Sequence, residues 1–498
     1  MEGKKVVITS DRSLFSTHRN SFYFGFISVF PTKVIPGFLQ RHVFCPPPPT
    51  YANGTAKYAL VAHRCVEASF IRNGFSENEV VVAHPNQLDK FIGKRTEFVC
   101  VSTQDPLGIG PVTTTWSSLM KGTPYNRIEF KRLLVHELTP LKENFGFKVA
   151  VGGPGSWQLS SKPILARFNI DYLAMGEAET IIPKLISIPN QQIITSSPPE
   201  PSEVPSIRHP IVGGLIEITR GCGLGCAYCS PNLSGRLRSF PLTKIQSDAI
   251  VNAKMGGSKT ITMHSDNALN FGSQTRIPDE DAIMELYNSL FSIDGVQRVN
   301  MTHTCLAPFA YMPEFITKLT KLLRKHGHRY YVCQPGIETG SPRLMKQLMP
   351  HKCHPYSPEE WPEVVKEAFS VMNNHRWICA TTIMIGLPGE EKEDIRQTIA
   401  LVRFLDKFNS ILFVPIFFNA ISSTRAGIHE DFLSHKMTPE NSKLLELCWK
   451  HNVRIARKLY YLASSENHPL FTRTIIELGI QSLKLAAKLY TIYYNKHG

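Results

Sequence analysis

The chain has 498 residues, 42% hydrophobic and 19% charged, with a net charge of +14. This composition belongs to a folded protein of roughly two to four domains and excludes a disordered, collagen-like or coiled-coil chain. Eleven cysteines, an odd number spread thinly over a long chain, exclude a disulfide scaffold.

Met1–Ser10 (MEGKKVVITS) is a short charged start followed by a strand-like run, without the long apolar segment of a signal peptide. Across residues 1–185, strand signals at Lys5–Ile8, Glu79–Ala83, Glu97–Ser102, Phe147–Val151 and Tyr172–Met175 alternate with helical ones. The helical stretches are Tyr58–Asn73, Gln87–Ile92 and Ile128–Asn144. Apolar strands alternating with helices predict an α/β domain with a doubly wound, Rossmann-like parallel sheet covered on both faces. Ligands of such sheets bind at the carboxyl ends of the strands, which here run into glycine-rich loops. Cys45–Pro49 (CPPPP) lies in a long insertion after the first strand, of the kind that is functional or a lid.

Residues 186–210 are rich in Pro and Ser and read as an interdomain linker. A second α/β series, residues 211–422, has strands at Gly214–Thr219, Thr260–Met263, Arg298–Thr302, Tyr330–Gln334, Trp377–Ile385 and Ile411–Phe417. Helices lie between them, such as Pro278–Phe291 and Pro313–Lys325, which predicts a partial (β/α)6 barrel. The longest uncharged stretch, Phe408–Thr424, contains Asn, Ser and Pro and reads as a strand with its loop. No membrane insertion is expected, and the expected compartment is cytoplasmic.

Residues 423–498 read as a small helical region in which Ile476, Ile480, Leu483, Ala487 and Tyr490 recur at helical spacing. Residues 441–498 hold nine Lys/Arg against three Asp/Glu. Two readings stay open: a solvated basic helix face, or contact with nucleic acid, an acidic protein or a membrane surface.

The most informative string is Gly221–Ser230, GCGLGCAYCS. Cys222, Cys226 and Cys229 are spaced C-x3-C-x2-C directly after a strand. Three thiolates this close can bind three irons of one [4Fe–4S] cluster and leave the fourth iron for an exogenous chelator. Gly221, Gly223 and Gly225 let the loop wrap closely. A structural zinc would need a fourth ligand, for which His264 or Cys305 would have to come from afar.

These residues resemble the radical S-adenosylmethionine (SAM) superfamily. Tyr228 sits where that family's motif carries an aromatic residue. The resemblance implies a [4Fe–4S] cluster on Cys222, Cys226 and Cys229, SAM on its open iron, and SAM cleavage to a 5′-deoxyadenosyl radical. It also implies an electron donor such as ferredoxin or flavodoxin. Gly336–Ser341 (GIETGS) resembles the family's "IEtGs" segment, which brings Glu338 and Ser341 toward SAM. His264–Asn267 stands at the family's usual place for contacts to the SAM amino group. There Ser265 and Asp266 are the candidates, with Asp where Glu is common. Gly386–Glu390 (GLPGE) matches a family turn and reads as structural. Cys353, in a loop after GIETGS, is a candidate thiol.

Residues 1–185 resemble the cobalamin-binding domain that many of these enzymes carry. The resemblance places cobalamin against Ser102, Gln104, Asp105, Leu107 and Gly108 after the third strand. It adds Gly152 and Gly153 after the fourth, and Gly176 and Glu177 after the fifth. None of the 18 histidines lies in a D-x-H-x-x-G pattern, so no histidine is expected beneath cobalt. The implied function is a cobalamin-dependent methyltransferase acting on an unactivated carbon. Other radical chemistry (cyclisation, ring contraction, sulfur insertion) with the N-terminal domain as a substrate platform stays open, as does a non-catalytic binding protein. Sulfur insertion usually employs a second cluster on three N-terminal cysteines, whereas Cys45, Cys65 and Cys100 are far apart in sequence. The substrate is not readable.

Overall fold

The structure is a computed structural model that describes residues 2–20, 22–229, 235–419, 432–433, 436–463 and 477. The chain forms two compact units. The first comprises residues 1–217, 238–262 and 289–296, and the second the remainder.

The first unit is built on six strands: β1 (Val6–Thr9), β2 (Val80–Val82), β3 (Phe98–Ser102), β4 (Lys148–Gly152), β5 (Tyr172–Met175) and β6 (Ile193–Thr195). All pairings are parallel, in the order β2-β1-β3-β4-β5-β6. The strands are continuous apolar runs because both faces are covered. Alternate residues serve opposite cores. Val7, Val81, Val99, Val101, Val149 and Val151 join one cluster with Leu133, Leu134 and Leu138. Val6, Ile8, Val80, Val82, Cys100 and Ala150 join the other with Phe70 and Ile181. The chain places β2 on one side of β1 and β3 on the other, so the sheet order reverses there, the arrangement that opens a crevice at the carboxyl edge.

The insertion between β1 and the helix Val61–Arg72 is tied down by ion pairs. Arg12 meets Glu137 at 2.6 Å, Arg41 meets Glu129 at 2.6 Å, and Phe30 stacks on Trp116 at 4.7 Å. That Trp lies in the helix Pro111–Met120, whose β-branched PVTTTWSSLM gave no helical signal. The expected linker, residues 186–210, is corrected by the structure. Ile193–Thr195 is the sixth strand. Val204 and Ile207 are buried, and the Ile207 and Ile211 amides donate to Asp248 and Asn252 at 2.9 and 2.7 Å. Its prolines shape a packed segment.

The barrel series continues with β7 (Leu215–Glu217), β8 (Thr219–Arg220), β9 (Arg238–Ser239), β10 (Thr260–His264), β11 (Arg298–Met301), β12 (Tyr331–Cys333), β13 (Gly336–Glu338), β14 (Trp377–Ile385) and β15 (Ile411–Phe417). Within the second unit the ladder passes from strand to strand. Ile218 donates to His264 O, Thr302 to Met263 O, and Gln334 to Thr302 O, all within 3.0 Å. β12 and then β13 run parallel along one edge of β14, and β15 runs along the other. The register shifts between Gly336 and Glu338, a β-bulge. The helices Pro313–Lys325, Trp361–Asn374 and Lys392–Leu405 follow their strands.

The helix Pro439–Ala463 packs on β15 and on Lys392–Leu405. The expected helix carrying Ile476, Ile480, Leu483, Ala487 and Tyr490 lies outside the described residues. Among the described residues, no helix is long and apolar enough to cross a membrane.

Candidate active site

β8 delivers the chain into Gly221–Cys229. Gly221, Gly223 and Gly225 hold φ of +74°, +72° and +67°, a left-handed backbone that a side chain disfavours. At Gly221 a Cβ would also stand 2.6 Å from the Arg236 carbonyl. The turn is clipped at both ends: the Gly221 amide donates to Asp266 Oδ2 at 3.1 Å, and the Ala227 amide to the Leu348 carbonyl at 2.7 Å. Burial pushes all three thiols above their usual range, Cys229 to about 12, with repulsion from Cys222 and Cys226 adding to the Cys229 shift. Buried thiols resist ionisation on their own, and iron that takes up the thiolates removes that cost. Among the described residues, no three His, Cys, Asp or Glu side chains close on one point as a single ion requires. A cluster spreads its thiolates over separate irons and does not need such a point.

Beside the thiols lies a buried ion pair. Lys352 Nζ donates to Glu338 Oε1 at 2.6 Å and to Tyr228 Oη at 3.2 Å. Thr382 Oγ1 donates to Glu338 Oε2 at 2.8 Å. Glu338 has φ +65°, unusual for a residue with a side chain, and sits in the bulge of β13. Bulges of this kind re-aim a side chain, and backbone strain of about 1–3 kcal/mol persists only where the surroundings impose it. Burial pulls the Lys352 ammonium down, but Glu338 and Cys226 outweigh it and leave it raised. Burial and the Glu338 charge push the Tyr228 phenol well up, so it stays protonated.

The structure thus gathers Cys222, Cys226, Cys229, Tyr228, Asp266 and Glu338 in one unit. Ser265 and Ser341 are instead committed to the fold. Ser265 Oγ lies 2.5 Å from Thr219 Oγ1 and accepts from the Asn267 amide. Ser341 Oγ donates to Asp394 at 2.5 Å and caps Pro342–Leu348 by accepting from Leu344 N. Cys353 Sγ donates to the Pro350 carbonyl at 3.2 Å. Its neighbour Lys352 is the residue that sequence reasoning missed. A lone lysine 14 positions after Glu338 carries no pattern, and only the fold-back of the short helix brings the two together.

In the first unit the loop residues serve the loops themselves. Asp105 accepts from the amides of Ile109 and Gly110, from Gln158 and Asn126, and from Thr113. The Leu107 amide donates to Gln158 Oε1 at 2.9 Å, and Glu177 pairs with Arg238. The glycines are needed first for contacts between loops. A Cβ at Gly153 (φ +100°) would stand 2.6 Å from the Thr103 carbonyl, one at Gly108 2.5 Å from Pro124, and one at Gly176 2.5 Å from Ser196. At Gly152 a Cβ would meet Ala174 at 3.1 Å, and Ser102 is buried. The resulting edge presents Gln104, Pro154 and Gly176 as exposed tips. A bare edge beside an order reversal fits a flat ligand. Near it, burial drives His63 and His84 down to about 3. Both are buried beside Phe15, and neither stands on the exposed edge.

Residues 216–402 match the sequence profile of the Radical SAM superfamily. They form a radical SAM domain. The chain also resembles curated relatives over part of its length. One is the tRNA-2-methylthio-N(6)-dimethylallyladenosine synthase of Caldicellulosiruptor saccharolyticus, 26% identical over 42% of this chain and 42% of that protein. The synthase of the same name from Geobacter metallireducens is 27% identical over 39% and 42%. The chain thus spans about two fifths of the length of these relatives. A likeness of fold extends further. The radical SAM methyltransferase TsrM of Kitasatospora setae, solved with cobalamin and a [4Fe–4S] cluster, superposes with a TM-score of 0.55 at 16% identity. That match covers 83% of this chain and 75% of TsrM. The domain operates with a [4Fe–4S] cluster and SAM, and the three-thiol turn fits that cluster.

Proposed function

We propose that the chain is a cobalamin-dependent radical SAM methyltransferase acting on an unactivated carbon. The observation that carries this reading is the reach of the TsrM likeness, which takes in the doubly wound sheet as well as the radical SAM domain. The bare carboxyl edge of that sheet supports it. In this reading Cys222, Cys226 and Cys229 hold the cluster, Glu338 and Tyr228 present fixed polar atoms to SAM, and Asp266 holds the cysteine turn. The backbone around Gln104, Pro154 and Gly176 approaches the corrin without a histidine. When bound, the cluster supplies an electron to SAM and cobalamin supplies the methyl group. An external donor such as ferredoxin or flavodoxin delivers the electron. A sulfur-inserting reading, suggested by the curated relatives, is disfavoured by the N-terminal cysteines. Cys100 is in the sheet core, Cys65 donates to Glu217, and Cys45 is buried in the insertion.

The test is anaerobic reconstitution with excess hydroxocobalamin, followed by desalting and absorbance. Wild type is expected to retain cobalamin. Gln104→Trp, on an exposed tip, is expected to lose it while keeping its iron. The triple Cys→Ala variant of the turn is expected to lose iron and SAM cleavage. A wild-type protein that retains no cobalamin defeats the reading, and the N-terminal unit then stands as a substrate platform.

A further inference from the structure

The barrel wall contains a gap shaped for an ion pair. At Gly336 a Cβ would stand 1.8 Å from Glu338 Oε1 and 2.7 Å from Lys352 Nζ. The pair therefore lies across the backbone of β13 in space that only glycine leaves open. Two further features hold it there: the bulge and positive φ at Glu338, and the Thr382 hydroxyl on the second carboxylate oxygen. Lys352 and Glu338 side chains are each 8% exposed. Lys352 also reaches Tyr228, which lies between Cys226 and Cys229 in sequence, and its charge acts on all three cysteines of the turn.

We propose that Lys352 is a positioning residue of the radical SAM site: its ammonium fixes the Glu338 carboxylate and the Tyr228 hydroxyl, and it stabilises the reduced cluster. The argument is electrostatic. A [4Fe–4S] cluster on three thiolates gains one negative charge on reduction. A buried cation nearby favours that state, in a medium where charges interact more strongly than in water. The same ammonium, with the Thr382 hydroxyl, holds the Glu338 carboxylate in one direction, so SAM meets a preset acceptor. A carboxylate in this interior without its cation would be costly. The inference rests on the radical SAM domain alone and does not depend on cobalamin.

The experiment is a redox titration of the reconstituted cluster, followed by electron paramagnetic resonance, beside equilibrium binding of SAM. No cobalamin is added, so its outcome is separate from that of the methyltransferase reading. Lys352→Met is expected to keep its iron and to disfavour reduction about tenfold, which is ~59 mV more negative for one electron. SAM affinity should fall about tenfold as well. Lys352→Arg, which keeps the charge, should recover most of the potential. Gly336→Ala, which keeps the lysine and crowds the pair, should shift both quantities in the same direction as Lys352→Met. Wild-type potential and wild-type SAM affinity in an iron-loaded Lys352→Met overturn the proposal. If that variant takes up no iron, unchanged values in Gly336→Ala overturn it.

Discussion

Glu338 combines three costs in one residue: a left-handed backbone, burial and a charge. Its partners offset them together, so their energies are coupled. Removing Glu338 alone strands the Lys352 ammonium, and removing Lys352 alone strands the carboxylate, each at about 3–5 kcal/mol. Removing both leaves no orphan charge. Glu338→Ala and Lys352→Met are therefore each expected to lower the denaturant midpoint more than the double variant does, with a coupling energy of over 1 kcal/mol. Additive losses would show that the pair is not energetically linked. At this scale the sequence was informative where a pattern repeats. The spacing of Cys222, Cys226 and Cys229 needed no coordinates. The GIETGS string marked Glu338, but nothing in it shows a bulge, and nothing singles out Lys352. Ser265 and Ser341 matched the resemblance by position, yet their hydroxyls bond to Thr219 and Asp394.

The loops at the carboxyl edge of the first sheet behave as a set. The Gly153 backbone sits against Thr103, whose amide donates to Gly152 O at 2.8 Å and whose carbonyl accepts from Gly155 N at 3.0 Å. A methyl group at Gly153 collides with that exchange at an unfavourable φ. Gly153→Ala is thus expected to cost about 1–3 kcal/mol, measured by chemical denaturation of the apo protein. A change below ~0.5 kcal/mol would mean that the loops do not depend on this approach. Strands whose two faces are buried announce themselves as Val- and Ile-rich runs, and Trp377–Ile385 and Ile411–Phe417 were legible to the residue. Short edge strands have no such run. Ile193–Thr195 is three residues inside a Pro- and Ser-rich stretch, and its pairing with β5 is set by the sheet, not by its own composition. The helix Pro111–Met120 was hidden for the converse reason: weak helix formers are held there by tertiary contacts such as Phe30 on Trp116.

Over the whole molecule, stability against pH is a sum of opposed buried groups. His63 and His84 are neutral in the fold at about 3 against an ordinary 6.5, because of burial. Their contribution is complete above 6.5 and is lost as pH falls toward 3, by about 2 kcal/mol each at pH 5. Asp11 and Glu390 are raised by burial to about 6 and about 7. Their cost is absent below the ordinary carboxyl values, grows as pH rises from there toward the folded ones, and levels off above them. The two tendencies oppose each other, but His303 and His328, lowered by burial to about 4, add to the histidine side, so the wild-type urea midpoint is expected to be lower at pH 5 than at pH 7.5. Replacing both histidines by Asn should favour pH 5 relative to wild type, and Glu390→Gln should favour pH 7.5. Parallel pH curves for all three proteins would refute this balance. The two units also share the chain in an unusual way: it passes between them five times, at 217/218, 237/238, 262/263, 288/289 and 296/297. Neither unit is a contiguous stretch of gene. No single cut separates the two units, and an expression boundary in the proline-rich stretch would take Asp248 and Asn252 from the segment they anchor. A truncation meant to isolate either unit must therefore combine segments from separate places in the sequence.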